Sequence, residues 1–276
     1  MRKLILILGL ILSFNVQAEV TISGSCGTNC IYEIDGTTLT ARPDNPDLPA
    51  YIDKEITRTC DDYSCYTDAP WRASGVTNIV IEKGIDTVGV HAFEDMPSVT
   101  EVSLPQGLKR IDSEAFHVTN LTHIDLPSTL NFIGDFAFSI DALESINGIP
   151  DGVTKIFAGT FESSIKNFIV PAGVTEIAPD TFGSRARNGA LIENLYCNET
   201  IADQCDAAVQ WKRDLGNEVN VITYKKDGNQ IFYNNKWYNN PNDILSGDYI
   251  KKRIYTIDEA TKVSKPTGNT VRIKYR

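Results

Sequence analysis

Five phenylalanines, Phe93, Phe116, Phe138, Phe161 and Phe182, recur at separations of 23, 22, 23 and 21 residues. Each closes the same phrase: an apolar strand, a proline or its substitute, a turn residue, then a second short apolar stretch. A period this regular requires stacked coils, because no single unit of that length can bury its own apolar face. The product of such a stack is an extended surface, which points to binding.

Alignment of the units assigns a role to each position. The strand segments are Val76–Ile81, Val99–Leu104, Leu121–Leu126, Leu143–Ile149 and Ile165–Val170, followed by a sixth, Ile192–Cys197. Their first, fourth and sixth places are apolar and face inward, and the polar residues between them face out. The fourth segment carries one extra residue at Asn147-Gly148, which reads as a bulge. Pro105, Pro127, Pro150 and Pro171 end four strands, since proline lacks the N–H a ladder needs. Gly107, Thr129, Gly152 and Gly173 follow as turn residues. A second extended stretch leads to Val88, Ile111, Ile133, Ile156 and Ile177 before each phenylalanine.

These phrases resemble the BspA-like leucine-rich repeat family. Leu121-Thr-His-Ile-Asp-Leu-Pro127 through Ile133-Gly-Asp-Phe-Ala-Phe138 carries nearly its whole motif. His91-Ala-Phe93 and Glu114-Ala-Phe116 keep the Ala-Phe pair, and Gly159-Thr-Phe161 and Asp180-Thr-Phe182 replace Ala with Thr. The fold expected is a β-dominated α/β leucine-rich-repeat solenoid of parallel strands and ~22-residue repeats, capped at both ends, with a small C-terminal α+β appendix. What the resemblance implies is a bacterial surface or secreted protein that works in adhesion or protein–protein contact without catalysis.

The chain divides accordingly. Residues 1–18 have the form of a signal peptide: Arg2 and Lys3, the apolar run Leu4 to Leu12, and Val16-Gln17-Ala18 before a cleavage point. Residues 19–75 form a cysteine-containing cap with a hairpin around Asp35-Gly36. The solenoid occupies 76–198, a cap helix 199–218, and a small basic module 219–276. In that module a hairpin is expected at Asp227-Gly228, a short helix at the capping box Thr256-Ile-Asp-Glu259, and a strand from Thr270 to Tyr275.

Six cysteines in an exported chain read as disulfides. Cys26 with Cys30, Cys60 with Cys65 and Cys197 with Cys205 are the local pairs, although the first four could cross. Zinc is the weaker reading of these cysteines, and no cofactor or metal is expected.

Charge excludes one partner class. Residues 19–224 hold 13 Lys and Arg against 31 Asp and Glu, whereas 225–276 hold 11 against 5. An acidic body repels phosphates, so nucleic acid is not the ligand. The basic tail could approach anionic components of the cell envelope. No apolar run is long enough to span a membrane. The expected location is therefore outside the cytoplasm: secreted, periplasmic or at the cell surface.

The outward strand row is the candidate binding face, and Glu101, Ser103, His123, Asp125, Ser145, Asn147, Asn167, Ile169, Asn194 and Tyr196 stand on it. Spaced about 4.8 Å apart, the strands would make a face roughly 25 Å long for a protein or glycan ligand. A second reading places glycan binding on the aromatic residues of 219–276, with the solenoid as spacer. A third is enzymatic, through His123 and Asp125 with Ser103 or Ser145, or through Glu101 and Asp125. It lacks a nucleophile elbow, an oxyanion motif and an evident cleft.

Overall fold

The computed structural model describes residues 22–53, 58–60, 65–72, 75–140, 142–183, 191–227, 230–233, 236–238, 250–252 and 271–273. Side chains are described up to Lys225, apart from those of 58–60 and 65–67. The segment read as a signal peptide and the capping box at Thr256 lie outside these residues.

The chain begins with an antiparallel meander, β1 (Ile22–Gly27), β2 (Cys30–Asp35) and β3 (Thr38–Pro43). Asp35 pairs with Thr38 across a two-residue turn in which Gly36 takes φ +56°, the left-handed region where glycine carries no steric penalty. Next come β4 (Ala50–Ile52) and the hairpin β5 (Arg58–Cys60) and β6 (Cys65–Thr67), in which Cys60 stands opposite Cys65. The repeats then contribute two short strands each: β7 (Asn78–Ile81) and β8 (Ile85–Val88); β9 (Glu101–Ser103) and β10 (Arg110–Ile111); β11 (His123–Ile124) and β12 (Phe132–Ile133); β13 (Ser145–Ile146) and β14 (Lys155–Ile156); β15 (Asn167–Ile169) and β16 (Glu176–Ile177). β17 (Asn194–Asn198), a turn of 3₁₀ helix (Glu199–Ile201), α1 (Ala202–Asp214) and β18 (Asn220–Asp227) follow. The antiparallel strands β19 (Gln230–Tyr233) and β20 (Lys236–Tyr238), and the pair β21 (Ile250–Lys252) and β22 (Val271–Ile273), complete the described strands.

Stacking is parallel and in register at equivalent positions. β3 pairs with β7 and β7 with β9, so that Leu39, Ile79 and Val102 align, while β4, β8, β10 and β12 form a second ladder. Inside the stack the five phenylalanines are all essentially buried. Phe93, Phe116, Phe138 and Phe161 stack with centroids 5.5, 5.7 and 5.9 Å apart. The corner that holds them is laddered too: the N–H groups of Phe93, Phe116, Phe138 and Phe161 donate to Ala115, Ala137, Thr160 and Thr181 carbonyls. Where threonine replaces alanine, its buried hydroxyl finds carbonyls: Thr160 bonds Phe157 and Gly134, and Thr181 bonds Ala178 and Phe157. A buried hydroxyl without such partners would be costly.

The N-terminal cap is itself built as a repeat. β3 and β4 occupy the two strand places, and Trp71, 22 residues before Phe93, takes the phenylalanine place. The Trp71 ring lies 5.8 Å from Phe93, and its indole N–H donates to the Ala92 carbonyl at 2.8 Å. Tyr32 closes the column edge-on, 5.1 Å away.

At the other end α1 packs its Cys205, Ala208 and Val209 onto the last coil, and Cys205 is bridged to Cys197. Cys26 is bridged to Cys30. β18 pairs parallel with β17 over five residues, Asn194 with Asn220 through Asn198 with Tyr224. The boundary read at 218/219 thus falls inside one continuous sheet. The alternation Val221-Ile-Thr-Tyr224 supplies a strand whose backbone groups β17 needs, and pairing them costs nothing beyond the short crossover through α1.

Candidate functional site: the outer strand face

The face is a row of first strands, and its ladder is discontinuous. β7 joins β9, β11 joins β13, and β15 joins β17, but no ladder joins β9 to β11 or β13 to β15 among the described residues. The second of these breaks falls beside the extra residue in the fourth repeat. β13 keeps register with β11 (Ser145 opposite His123), while β14, beyond the insertion, keeps register with β16. Asn147-Gly148 sits between them as a dislocation, with Gly148 at φ +116°. Asn147 repairs one side of it: its carboxamide accepts from the Leu126 N–H at 2.8 Å and donates to the Leu126 carbonyl at 3.1 Å. On the other side a cavity of about 590 Å³ opens. Ile146, Ile165, Phe168 and Leu191 give it apolar walls, with Glu144 and Lys166 at the rim.

The ten candidate face residues fall into two groups. Glu101, Ser103, His123, Asp125, Ser145 and Asn147 are exposed, as the alternating pattern requires. Further along, Ile169, Asn194 and Tyr196 are buried and Asn167 is half-buried, a correction to the expectation of one open row. β18 contributes to this, because it pairs with β17 and brings Ile222 and Tyr224 against Ile169 and Tyr196. Asn167, Asn194 and Asn220 form an amide ladder, with Asn220 donating to Asn194 at 2.8 Å and Asn194 to Asn167 at 2.7 Å. Ile169, Tyr196, Ile222 and Tyr224 form a second apolar cluster, and the Tyr224 hydroxyl donates to the Val170 carbonyl. Burial, with Asp151 nearby, pushes the Tyr224 hydroxyl well above its ordinary pKa. Apolar residues at outward places on three consecutive strands were the sequence signal for this covering.

Ser145, His123 and Asp125 meet in one hydrogen-bonded line. His123 Nδ1 lies 2.8 Å from Ser145 Oγ, and Nε2 lies 3.1 Å from Asp125 Oδ1. The order of ring nitrogens is the reverse of that in a serine-hydrolase triad, where Nε2 serves the hydroxyl and Nδ1 the carboxylate. The His123 and Asp125 side chains are 50% and 75% exposed, so water screens the charge that a triad relies on. The line presents a fixed set of donors and acceptors at the centre of the face.

The exposed carboxylates Glu101, Asp125 and Glu144 dominate this surface. Lys155 and Lys109, which pair with Glu176 and Asp86, belong to the second-strand ladder. The outer face is therefore acidic at its N-terminal half and polar to apolar around the cavity.

Two parallel ladders per coil, a buried aromatic column and caps that imitate a coil define a leucine-rich-repeat solenoid. Residues 70–187 match the BspA type leucine rich repeat region, in six copies, the match starting beside Trp71. A comparison with curated proteins finds no match. Among solved structures, a leucine-rich repeat protein from Eubacterium ventriosum is 19% identical, with a TM-score of 0.50 over 66% of this chain and 45% of its own. The pneumococcal vaccine antigen PcpA is 22% identical, with a TM-score of 0.40 over 55% of this chain and 36% of its own. The chain thus spans less than half the length of either. No helix among the described residues is long and apolar enough to cross a membrane.

Proposed function

We propose that this protein is an exported binding module that engages a protein partner in adhesion through the acidic half of its strand face and the adjoining cavity, without turnover. The observation that carries the reading is the coincidence of exposed polar side chains on neighbouring strands with a cavity at the dislocation. Glu101, Ser103, His123, Asp125 and Ser145 offer hydrogen-bonding specificity, and the cavity can receive one apolar side chain. Together they supply the polar rim and apolar anchor point of a protein interface. The disulfides Cys26–Cys30 and Cys197–Cys205 support an oxidising location outside the cytoplasm.

The partner expected is a protein segment carrying basic residues around an apolar anchor. The test is capture of host-matrix and envelope proteins on immobilised residues 19–276, followed by affinity measurement on the purified partner. Reversing Glu101 and Asp125 to lysine should weaken that affinity at least about tenfold. Unchanged binding by this double variant would refute the face as the site. Glycan binding through the C-terminal module predicts the opposite: binding survives the reversal and is lost when the chain is cut after Asp227.

A further inference from the structure

Two consecutive corners of the stack carry mirrored sequences. The first reads His91-Ala-Phe93-Glu94 and the next Glu114-Ala-Phe116-His117. The 23-residue stacking that aligns Phe93 with Phe116 therefore brings two imidazoles and two carboxylates together, each histidine beside glutamates from both coils. The equivalent places in the third and fifth repeats hold Phe136 with Ser139 and Asp180 with Gly183, so the quartet is particular to this junction.

The distances bring the donor atoms of the four side chains into one cluster. His91 Nδ1 lies 2.8 Å from Glu94 Oε2 and 4.0 Å from Glu114 Oε2. His117 Nδ1 lies 3.3 Å from Glu94 Oε1 and 3.4 Å from Glu114 Oε2. One ligand atom each from His91, Glu94 and Glu114 falls within a sphere where all are within 4.8 Å of one another. A tetrahedral zinc ion with bonds of about 2.0–2.1 Å separates its ligands by about 3.3–3.4 Å.

Charge argues the same way. Glu94 is 97% buried and the His117 side chain is 7% exposed, so water screens little at this corner and a divalent cation held between the carboxylates would be attracted strongly. We propose that His91, Glu94 and Glu114, closed by His117, form a binding site for a divalent transition cation, with zinc the ion whose ligand chemistry they fit best. The mixed nitrogen and oxygen donor set suits zinc over calcium or magnesium, which take oxygen alone. The site lies at the corner between the first two repeats, away from the strand face, and would fasten the cap-proximal coils together. The protein has three histidines in all, and the third, His123, stands on the face and serves as an internal control.

The test is calorimetric titration of residues 19–276 with zinc, and Co²⁺ absorption spectroscopy, in a non-chelating buffer at neutral pH. One cation per chain is expected, with the visible bands of a low-symmetry Co²⁺ site. His91→Ala and Glu114→Gln, both at partly exposed positions, should each weaken binding at least about tenfold, with circular dichroism confirming that they fold. His123→Ala should leave binding unchanged. Absence of saturable one-to-one binding, or binding that survives both His91→Ala and Glu114→Gln, would overturn the site and leave the quartet an ion-pair cluster.

Discussion

At Gly159 the backbone takes φ +58°, and a Cβ there would come within 2.1 Å of the Phe136 ring of the preceding coil. Gly159→Ala therefore meets both a strained conformation and a collision, and should cost about 1–3 kcal/mol in chemical denaturation. His91, Glu114 and Phe136 hold the same left-handed conformation at the equivalent places in their own coils without glycine's freedom. In the column itself, Phe138 is fully buried between Phe116 and Phe161. Phe138→Ala should lose about 3–5 kcal/mol by the same measurement, because neighbours on both sides are held by their own ladders and cannot collapse into the void.

On the scale of single elements, the sheet end that carries β18 is where the chemistry of individual groups becomes visible as a pH effect. Tyr224 is buried with its hydroxyl on the Val170 carbonyl, and its folded-state pKa lies above the unfolded value of about 10. A raised value favours the folded state fully below that pH, and the contribution is lost as pH rises from there through the folded value. The melting temperature should fall above about pH 10, and Tyr224→Phe should remove part of that slope. The bridge between β17 and α1 makes a second element-scale prediction. Replacing Cys197 and Cys205 by serine together should cost about 2–4 kcal/mol and expose the last coil to protease before the central repeats. A truncation that keeps β18 and ends at Asp227 should melt cooperatively. One that ends at Glu218 should not, since it strips the ladder from β17 and opens the Ile169–Tyr196 cluster to water.

Across the whole molecule, period and composition were enough to expect a solenoid, its buried column, its turn residues and the terminal helix, whereas the pairing of the first four cysteines stayed open until the structure placed Cys26 on Cys30. Each of those expectations depends on local chemistry repeated at a fixed spacing, which a linear reading can count. The same reading overlooked that Trp71 is the first member of the aromatic column, although its 22-residue distance from Phe93 was there to be counted, because the hairpin β5–β6 separates it in sequence from β4. It placed Asn147 on the binding face, where the side chain is exposed but also mends a broken ladder. Three things only the tertiary structure decided. Whether an outward strand position is open depends on which strand comes to lie beside it, and β18 arrives from beyond a helix. The cavity beside Gly148 depends on how the fourth and fifth coils pack against each other, which an inserted residue does not by itself dictate. His91 with Glu94 and His117 with Glu114 are i,i+3 neighbours, but the two pairs meet only because stacking superposes two mirrored corners. Contacts between coils depend on register, and register is a property of the packed stack.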